Sequence, residues 1–477
     1  MRRAIVLFEL NEVPWEILDD YVAARPGSGL ARVLDRSHSF TSMAADRGHL
    51  SPWTTWPTLH RGVNDERHMI ASFGQDRSEA DRRFPPVWTL LHDAGVSAGV
   101  CAPLHSYPVP DDLGSYDFYL PDPFASEPVA HPPDLVEFQR FNLAMSRESA
   151  RNVDTHIPRK DALAVVRHSR RLGIRPATYA ALARQLLAER RRPAMSNRRR
   201  TYQSVLLFDI FARQLRRSRP RFSTFFTNHV ASAMHRYWAA HRPGDYERLG
   251  LDQDWIETFR DEVLWATGRA ADMIERLAGQ VDANPGSQLW IASSMGQRAT
   301  MAETLETQVY LTNPHRFLEA MGLPGEDVWE RRPAMLPHFN LVVEDKYVEP
   351  FGDALRTVRV GGEPLHFKES DNGFFSLEFG QANLHDRPDV ATVAGEPRPM
   401  ASLGLETVEI EDRSGTTAYH VPEGILAIYD PSRPPAATAG RPEVSVLEVA
   451  PAILQTLSVD PPAYMTRPKV LADLAAP

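Results

Sequence analysis

The chain has 477 residues, a formal net charge of -9 and 43% hydrophobic residues, which is typical of a globular protein with one large domain plus an insertion, or with two or three modest domains. The single cysteine, Cys101, excludes a disulfide framework and a thiolate metal cluster. The N-terminal apolar run is interrupted by Glu9 and does not resemble a signal peptide. No stretch reaches the roughly 18 uncharged apolar residues of a membrane span, so we expect a soluble, cytoplasmic protein.

Strands and helices are predicted to alternate along most of the chain. The run "RRAIVLFEL" predicts a buried strand, with a helix from about Pro14, and "VWTLLHDAGVSAGVCAPL" predicts a helix, a glycine turn and a strand. The runs "RFSTFFTNHV" and "GSQLWIASSMG" are apolar and end in polar turns, and a long helix precedes the second. This alternation predicts an α/β fold with a doubly wound, mostly parallel sheet sandwiched by helices. In such sheets, sites lie at the carboxyl ends of the strands.

Basic residues are concentrated between Arg159 and Arg221, where 18 Lys or Arg stand against three acids. Apolar residues spaced by three or four positions, such as Leu163 with Val166, predict helices with arginine-rich polar faces. Two interpretations are open: a solvated helix face, or a surface that attracts an anionic substrate or a phosphate-bearing partner. No recognised nucleic-acid module accompanies the charge, so there is no strong nucleic-acid signal.

The pattern changes to short strands and turns between residues 303 and 417, as in "LRTVRVGGEPLHFKESDNGFFSLEFG". We predict a β-rich insertion, or cap, over this range. The segments "HVPEGILAIYDP" and "EVSVLEVAPAILQTL" then restore a strand and a helix. The predicted core is therefore discontinuous, with a first part over 1–302, which includes the arginine-rich segment 159–221, and a second part over 418–477.

The order of these segments resembles the alkaline phosphatase superfamily, and within it the type I phosphodiesterase and nucleotide pyrophosphatase branch. The resemblance rests on "IVLFELNEVPWEIL", "SPWTTWPTLHRGVNDERHMI", "FFTNHVASAMHRYW", "LWIASSMG" and "HVPEGILAIYDP", which keep the family's order over nearly the whole core. It implies an alkaline phosphatase-like core. In that family, two divalent metals flank a Thr or Ser nucleophile and neutralise charge on the phosphoryl oxygens.

The family's nucleophile motif of Thr, an aromatic residue and Pro falls on Thr55, Trp56 and Pro57. The resemblance therefore implies Thr55 as the nucleophile, with Thr54 as the second candidate. At the start of a helix, a hydroxyl at this position would lie among free backbone N–H groups that favour an anionic oxygen. The alternative is that the motif is only a proline-punctuated turn before a helix.

The metal-ligand positions depart from the family's pattern. The family's first aspartate falls on Asn11, with Glu12 at the position of the glycine that follows it. The Asp-His pair of a later strand falls on Ser294 and Met295. Because neither Ser nor Met offers a hard anionic ligand, we do not expect the full two-metal centre.

The second metal position is better preserved. The family's two histidines fall on His235 and His420, while the aspartate four residues before the first falls on Ala231. Asn228 shares a face with His235 if this stretch is helical, and His229 could supply a third nitrogen. A single divalent ion, with Zn favoured, could be held by His235, His420 and His229. With no metal, the two aligned histidines would instead hydrogen-bond to substrate or to each other.

Other residues near the predicted turns could contribute to the site. A general base could be any one of His49, His60, His68 and His105, with structural hydrogen bonding as the alternative for each. Glu12 could replace the missing aspartate or serve as a helix N-terminal charge, and Glu9 should point the same way as Asn11. The predicted substrate-binding residues are Asn228, Ser294, Trp56, Arg61 and Arg236.

Two functions from different classes are consistent with these residues. The first is an atypical phosphoesterase-like or phosphodiesterase-like hydrolase, or a group transferase, acting on a small anionic phosphate or sulfate ester. Thr55, His235, His420 and Asn11 would be its catalytic residues, with one metal or none. The second is a catalytically silent member of the fold that binds an anionic ligand or a protein partner. The sequence does not determine the oligomeric state.

Overall fold

The computed structural model of the protein describes residues 3–147, 159–301, 305–334, 337–370, 372–384, 389–410, 415–435 and 440–475. Its strands, in chain order, are β1 (Ala4–Leu10), β2 (Ser37–Met43), β3 (Ala98–Cys101), β4 (Phe118–Leu120), β5 (Phe222–Thr227), β6 (Ser287–Ala292), β7 (Gly296–Ala299), β8 (Thr307–Leu311), β9 (Trp329–Arg332), β10 (His338–Val343), β11 (Arg359–Val360), β12 (Glu363–Pro364), β13 (His366–Ser370), β14 (Phe374–Glu378), β15 (Val390–Val393), β16 (Glu396–Pro399), β17 (Leu405–Glu409), β18 (Ala418–Val421), β19 (Glu423–Tyr429) and β20 (Glu443–Ser445).

Its helices, in chain order, are α1 (Trp15–Ala24), α2 (Gly29–Asp35), α3 (Pro52–Arg61), α4 (Asp65–His68), α5 (Ser78–Arg83), α6 (Val87–Asp93), α7 (Val136–Arg147), α8 (Arg159–Leu172), α9 (Pro176–Glu189), α10 (Arg199–Ser218), α11 (His229–His241), α12 (Gln253–Phe259), α13 (Glu262–Asp282), α14 (Pro314–Ala320), α15 (Asp345–Arg356), α16 (Val449–Thr456) and α17 (Ala472–Ala475). Among the helices of the described ranges, none combines the length and the apolarity that a bilayer crossing requires.

The central sheet has eight strands in the order β20–β2–β19–β6–β1–β5–β3–β4. The five strands from β6 to β4 are parallel to one another, and β2 and β20 are also parallel to each other. Strand β19 is antiparallel to both of its neighbours, β2 and β6. The fold is therefore α/β with a mostly parallel sheet, as the sequence predicts.

Helices cover both faces of this sheet because its strands carry apolar side chains on both sides. Along β1, Phe8 and Leu10 face a core formed with helices such as α1, α11 and α13, whereas Ile5 and Leu7 face a second core formed with α3, α6 and α16. All four side chains are fully buried. The sheet is thus held between two helical layers, and its carboxyl edge is left for polar residues.

Most of the predicted β-rich insertion folds around a core of its own. Strands β13, β14, β10 and β9 form one small sheet, β12, β11, β15 and β16 form another, and β8 pairs with β17. Their buried side chains include Phe339, Leu341 and Phe375, which belong to a cluster separate from the two cores of the central sheet. The exact domain limits at 303 and 417 stay a prediction.

The arginine-rich segment forms the helices α8, α9 and α10, as predicted. Two of its three acids are buried and paired within the fold. Glu189 lies 2.7 Å from Arg199, and Asp209 lies 2.9 Å from Arg276 and 3.2 Å from Arg175. Part of the arginine excess therefore has a structural use, and the remainder lies on the surface.

Candidate active site

The carboxyl ends of β1, β5 and β6 lie side by side, because these strands are parallel neighbours. The residues that follow them are Asn11 and Glu12 after β1, Asn228 after β5, and Ser294 after β6. Helix α3 places Thr55 at the same edge, where its hydroxyl meets that of Ser294. The topology thus brings together the strand-end residues to which the sequence pointed.

Glu12 is the centre of this edge. Its carboxylate is buried, and its Oε2 atom lies 2.8 Å from Nε2 of His235 and 3.3 Å from Nε2 of His420. The Gln297 side chain donates a further hydrogen bond to the same oxygen. The backbone of Glu12 has a φ of 57°, in the left-handed region that non-glycine residues rarely occupy. Such a conformation persists only where the surroundings enforce it, so the turn after β1 holds this carboxylate in place.

Backbone carbonyls orient both histidines toward Glu12. Nδ1 of His235 lies 2.7 Å from the Ala418 carbonyl, and Nδ1 of His420 lies 2.8 Å from the Leu50 carbonyl. Since a carbonyl oxygen only accepts hydrogen bonds, each Nδ1 carries a hydrogen. Each Nε2 is therefore the nitrogen that faces the carboxylate, and both rings are fixed in that tautomer.

The charges of the cluster support one another. Burial alone would raise the pKa of Glu12, but the neighbouring His420 and His235 hold that pKa well below its usual range. Burial alone would lower the pKa of His420, whereas the Glu12 carboxylate raises it. Glu12 is consequently an anion at neutral pH, and it favours either protons on the two Nε2 atoms or a cation that replaces those protons.

The donor atoms of Glu12, His235 and His420 fit a single divalent metal ion. All three lie within 4.8 Å of one another. Two imidazole nitrogens and one carboxylate oxygen are the protein ligands of many catalytic zinc sites, which keep a further position open. Metal-binding histidines almost always donate their other N–H to a carbonyl, carboxylate or water, as both do here.

The structure places His229 away from this cluster, so the prediction that it supplies the third ligand is wrong. Its Nδ1 lies 2.7 Å from the Thr227 hydroxyl and its Nε2 lies 3.2 Å from the Ala266 carbonyl. Both ring nitrogens are thus occupied by buried partners. The first residue of α11 points toward α13 instead of the sheet edge, and Glu12 provides the third donor in its place.

The buried His229 leads to a prediction about acid stability. Burial lowers its pKa from 6.5 to about 4. A histidine with a depressed folded pKa gives stability that is present above its unfolded pKa and is lost as the pH falls toward the folded one. Between pH 6.5 and 5, we expect the free energy of unfolding of His229→Gln to fall less steeply than that of the wild type. The difference between the two slopes should be about 1 kcal/mol per pH unit. Urea titrations across this range measure the slope. The exposed His366→Gln should keep the wild-type slope, and equal slopes for wild type and His229→Gln would contradict the prediction.

Asn11 acts through its neighbours and not as a metal ligand. Its Nδ2 donates to Glu12 and to Asn228, each at 2.7 Å, and its Oδ1 accepts from Nε1 of Trp56, also at 2.7 Å. It therefore positions the Glu12 carboxylate. Trp56 is fully buried and supports Asn11, and its contact with a substrate stays a prediction. Asn228, by contrast, is exposed to solvent.

Thr55 and Ser294 form a closed pair of hydroxyls. Their oxygens are 2.8 Å apart, and both side chains have no exposed surface. Thr55 lies in the first turn of α3, as predicted, but the amides of that turn are not free. Ser51 caps the helix: its carbonyl accepts from the amides of Thr54 and Thr55, and its hydroxyl accepts from that of Trp53. The expectation that free backbone N–H groups at this turn could bind an anion is therefore wrong.

Two predicted arginines point away from this edge. Arg61 lies at the far end of α3, where its guanidinium contacts Asp81 at 2.6 Å and donates to the Phe84 carbonyl. Arg236 lines a separate cleft with Arg198 and Glu262. Neither His235 nor His420 lines this cleft. Neither arginine is placed to bind a substrate at Glu12.

Three of the four histidines considered as general bases have structural partners. His60 lies 3.1 Å from Glu9, His68 lies 2.9 Å from the Thr58 hydroxyl, and His105 lies 2.8 Å from the Trp53 carbonyl. His49 differs, because it lies beside the cluster. Its ring centroid is 6.5 Å from that of His420 and 5.9 Å from that of Tyr419.

Sequence reasoning did not find Gln297 or Tyr419. Strand β7 pairs with β18 so that Gln297 lies directly opposite His420, and Tyr419 stacks on His420 at 4.2 Å between ring centroids. Both residues adjoin positions already singled out, three residues after Ser294 and one before His420. The pairing of two short strands brings Gln297 to Glu12 and Tyr419 to His420, and neither strand shows a strong pattern.

Comparison with family models and with curated proteins gives no match. Among solved structures, the matches include pyrophosphatase/phosphodiesterases and a phosphonoacetate hydrolase. Human ectonucleotide pyrophosphatase/phosphodiesterase 5 is 10% identical with a TM-score of 0.43, and the murine protein is 9% identical with a TM-score of 0.41, each with 99% of both chains covered. Phosphonoacetate hydrolase from Sinorhizobium meliloti, in complex with phosphonoformate, is 12% identical with a TM-score of 0.40 and 94% coverage of both chains. Likenesses this distant do not establish membership of a family.

Proposed function

We propose that the protein is a hydrolase or group transferase of phosphate or sulfate esters, with Thr55 as nucleophile and a single divalent metal ion. Glu12, His235 and His420 would hold the ion. The observation that carries the proposal is the buried Glu12 carboxylate between two histidine Nε2 atoms, each ring fixed through Nδ1 by a backbone carbonyl. This is the donor set and the outer hydrogen bonding of a catalytic metal centre.

The residues around the cluster have separate tasks. A bound ion would supply a positive charge that polarises the ester and stabilises negative charge in the transition state. Asn11 and Gln297 hold Glu12, and the Ser294 hydroxyl holds that of Thr55. A ligand can approach from the side of His235, whose side chain is 27% exposed.

Asn228 is placed to orient an anionic ligand. It is exposed, and its Oδ1 already accepts a hydrogen bond from Asn11. Its Nδ2 is therefore the group that can donate to an oxygen of the ester. Because Asn228 follows β5 directly, its position is fixed by the sheet.

The net charge of the site favours a singly charged ester. A divalent ion together with the Glu12 carboxylate and two neutral histidines has a net charge of about +1. A phosphodiester or a sulfate ester carries one negative charge and would be neutralised, whereas a phosphate monoester dianion would leave an excess. We therefore place phosphodiesters and sulfate esters ahead of phosphate monoesters as substrates.

A catalytically silent protein that binds a small anion is the second candidate. The specific observation in its favour is the complete burial of Thr55 and Ser294, whose hydroxyls bond to each other. Attack by Thr55 would require this pair to open when substrate binds. A silent protein would keep the pair closed and use only the exposed side of the cluster.

A screen of aryl phosphate monoesters, aryl phosphodiesters and aryl sulfate esters tests the proposal. We expect the zinc-loaded protein to turn over a diester or a sulfate ester, and a chelator followed by zinc to abolish and then restore the activity. Thr55→Ala, purified in parallel, controls for contaminating enzymes. Binding of inorganic sulfate or phosphate to the zinc-loaded protein without turnover of any ester would favour the silent candidate.

A further inference from the structure

We propose that the outward faces of α8 and α9 dock on the surface of an anionic lipid bilayer. This interaction goes beyond the proposed ester chemistry and involves none of the residues of that site. It follows from the exposure of aliphatic side chains among exposed arginines on two consecutive helices. The charge of the segment was evident in the sequence, but its use was open between a solvated face and a binding surface.

Helix α8 exposes aliphatic residues on the side opposite its core contacts. Leu163 is 62% exposed and Val166 is 53% exposed, whereas Val165 and Leu172 are buried in the main core. At about 100° per residue, Leu163 and Val166 lie within one narrow face, and Val165 points away from it. More than half of the surface of each of these two apolar residues is therefore exposed.

Arginines lie on that same face of α8. Arg167 and Arg170 are exposed, and the helical period places them within about 60° of Leu163. The outward face of α8 is therefore a mixture of aliphatic and guanidinium groups. On such a face the guanidinium groups can reach headgroup phosphates while the short aliphatic side chains contact the boundary below them.

Helix α9 repeats the arrangement. Leu186 is 46% exposed and Leu187 is 59% exposed, and the exposed Arg190 lies between them around the helix. The inward face carries Gln185 and Glu189, which are buried. Two consecutive helices thus present the same chemistry outward.

Acidic residues of the segment do not offset this surface charge. Glu189 and Asp209 are buried in ion pairs within the fold, and the remaining acid, Asp161, is half-buried. The outward faces of α8 and α9 therefore carry a net positive potential. Such a surface attracts anionic headgroups and loses that attraction as salt screens it.

A lipid surface can interact with both the aliphatic side chains and the arginines of these faces. An acidic protein or a second copy of the chain fits them less well. Aliphatic side chains can insert below the headgroups while the long arginine side chains reach up to the phosphates. An acidic protein would pair with the arginines but offer nothing to Leu163, Val166, Leu186 and Leu187. A second copy of the chain, related by a twofold axis, would bring like charges together.

Co-sedimentation with vesicles tests the proposal on the full chain. We expect binding to phosphatidylcholine vesicles that contain about one third phosphatidylserine, at least about tenfold weaker binding to phosphatidylcholine alone, and weakening as salt rises. The variants Leu186→Ser/Leu187→Ser and Arg167→Gln/Arg170→Gln should each lose most of the binding. All four positions are exposed, so the fold should be retained, and circular dichroism checks this.

Matched controls come from exposed residues elsewhere. Leu249→Ser and Arg398→Gln alter an exposed leucine and an exposed arginine outside these helices, and both should bind vesicles as the wild type does. Binding that ignores phosphatidylserine or salt would overturn the proposal. Loss of binding only in the arginine variant, with the leucine variant unchanged, would also overturn it, because the attachment would then be purely electrostatic and the aliphatic side chains would take no part.

Discussion

Replacement of Glu12 by glutamine is expected to weaken zinc binding by at least about 100-fold, because it removes the only anionic donor of the cluster while keeping its size. The zinc affinity should fall further than the loss of one coordinating oxygen alone would cause. Gln297 donates a hydrogen bond to Oε2, and the neutral amide of a glutamine at position 12 can place its own NH₂ group there. Turnover of the ester found in the screen should fall in parallel, since the ion would no longer be held.

Competition with a chromophoric zinc chelator measures this affinity. Glu16→Gln is the matched control, because Glu16 is a carboxylate on α1 only four residues away, and it lies 3.6 Å from Arg242 instead of at the cluster. We expect Glu16→Gln to bind zinc as the wild type does. Unchanged zinc affinity in Glu12→Gln would show that any ion is held elsewhere and would remove the basis of the proposed site.

Replacement of Thr55 by alanine is expected to lower kcat by about a thousandfold or more, while zinc affinity stays unchanged. The hydroxyl would be lost, but the residues that hold the ion belong to other elements. Thr55→Ser keeps a hydroxyl within reach of Ser294 and should retain part of the activity. The separation of turnover from metal binding distinguishes a nucleophile from a residue that merely supports the cluster.

Thr54→Ala provides the comparison within the same helical turn. Thr54 is also buried, and its backbone makes hydrogen bonds with Ser51 and Thr58. We expect this variant to keep most of its activity. If Thr54→Ala is inactive and Thr55→Ala is active, the nucleophile has been misassigned, and if both retain full activity, the chemistry does not use this turn.

The order of the central elements could be predicted from local patterns. The helix expected from about Pro14 is α1, and the helix and strand expected around "VWTLLHDAGVSAGVCAPL" are α6 and β3. The sequence "SHSFTSM" of strand β2 does not predict a strand, because five of its seven residues are polar. Its polar groups are satisfied inside the fold: Ser37 donates to the Val33 carbonyl and Ser42 donates to the Ser293 carbonyl.

The candidate site could be predicted at the level of strand ends but not of side-chain directions. Asn11 and Ser294 follow parallel strands, so their proximity to the first turn of α3 follows from topology. The direction in which Arg61 and His229 point depends on how α3 and α11 are rotated against the sheet. No local pattern encodes that rotation, and both residues proved to have partners on the far sides of their helices.

The role of Glu12 depended on contacts that are distant in sequence. A glutamate after a strand is most simply interpreted as a charge at a helix N-terminus. Here a left-handed turn directs its carboxylate toward His235 and His420, which lie more than 200 residues further along the chain. Asn11 is thus followed directly by a carboxylate that contacts both histidines.

Diffraction data collected at the zinc absorption edge, from crystals grown with one equivalent of zinc, test the central claim most directly. We predict a single anomalous peak between Glu12 Oε2, His235 Nε2 and His420 Nε2, about 2.0 to 2.2 Å from each donor. Two peaks about 4 Å apart at this edge of the sheet, or zinc bound only at other histidines, would contradict it.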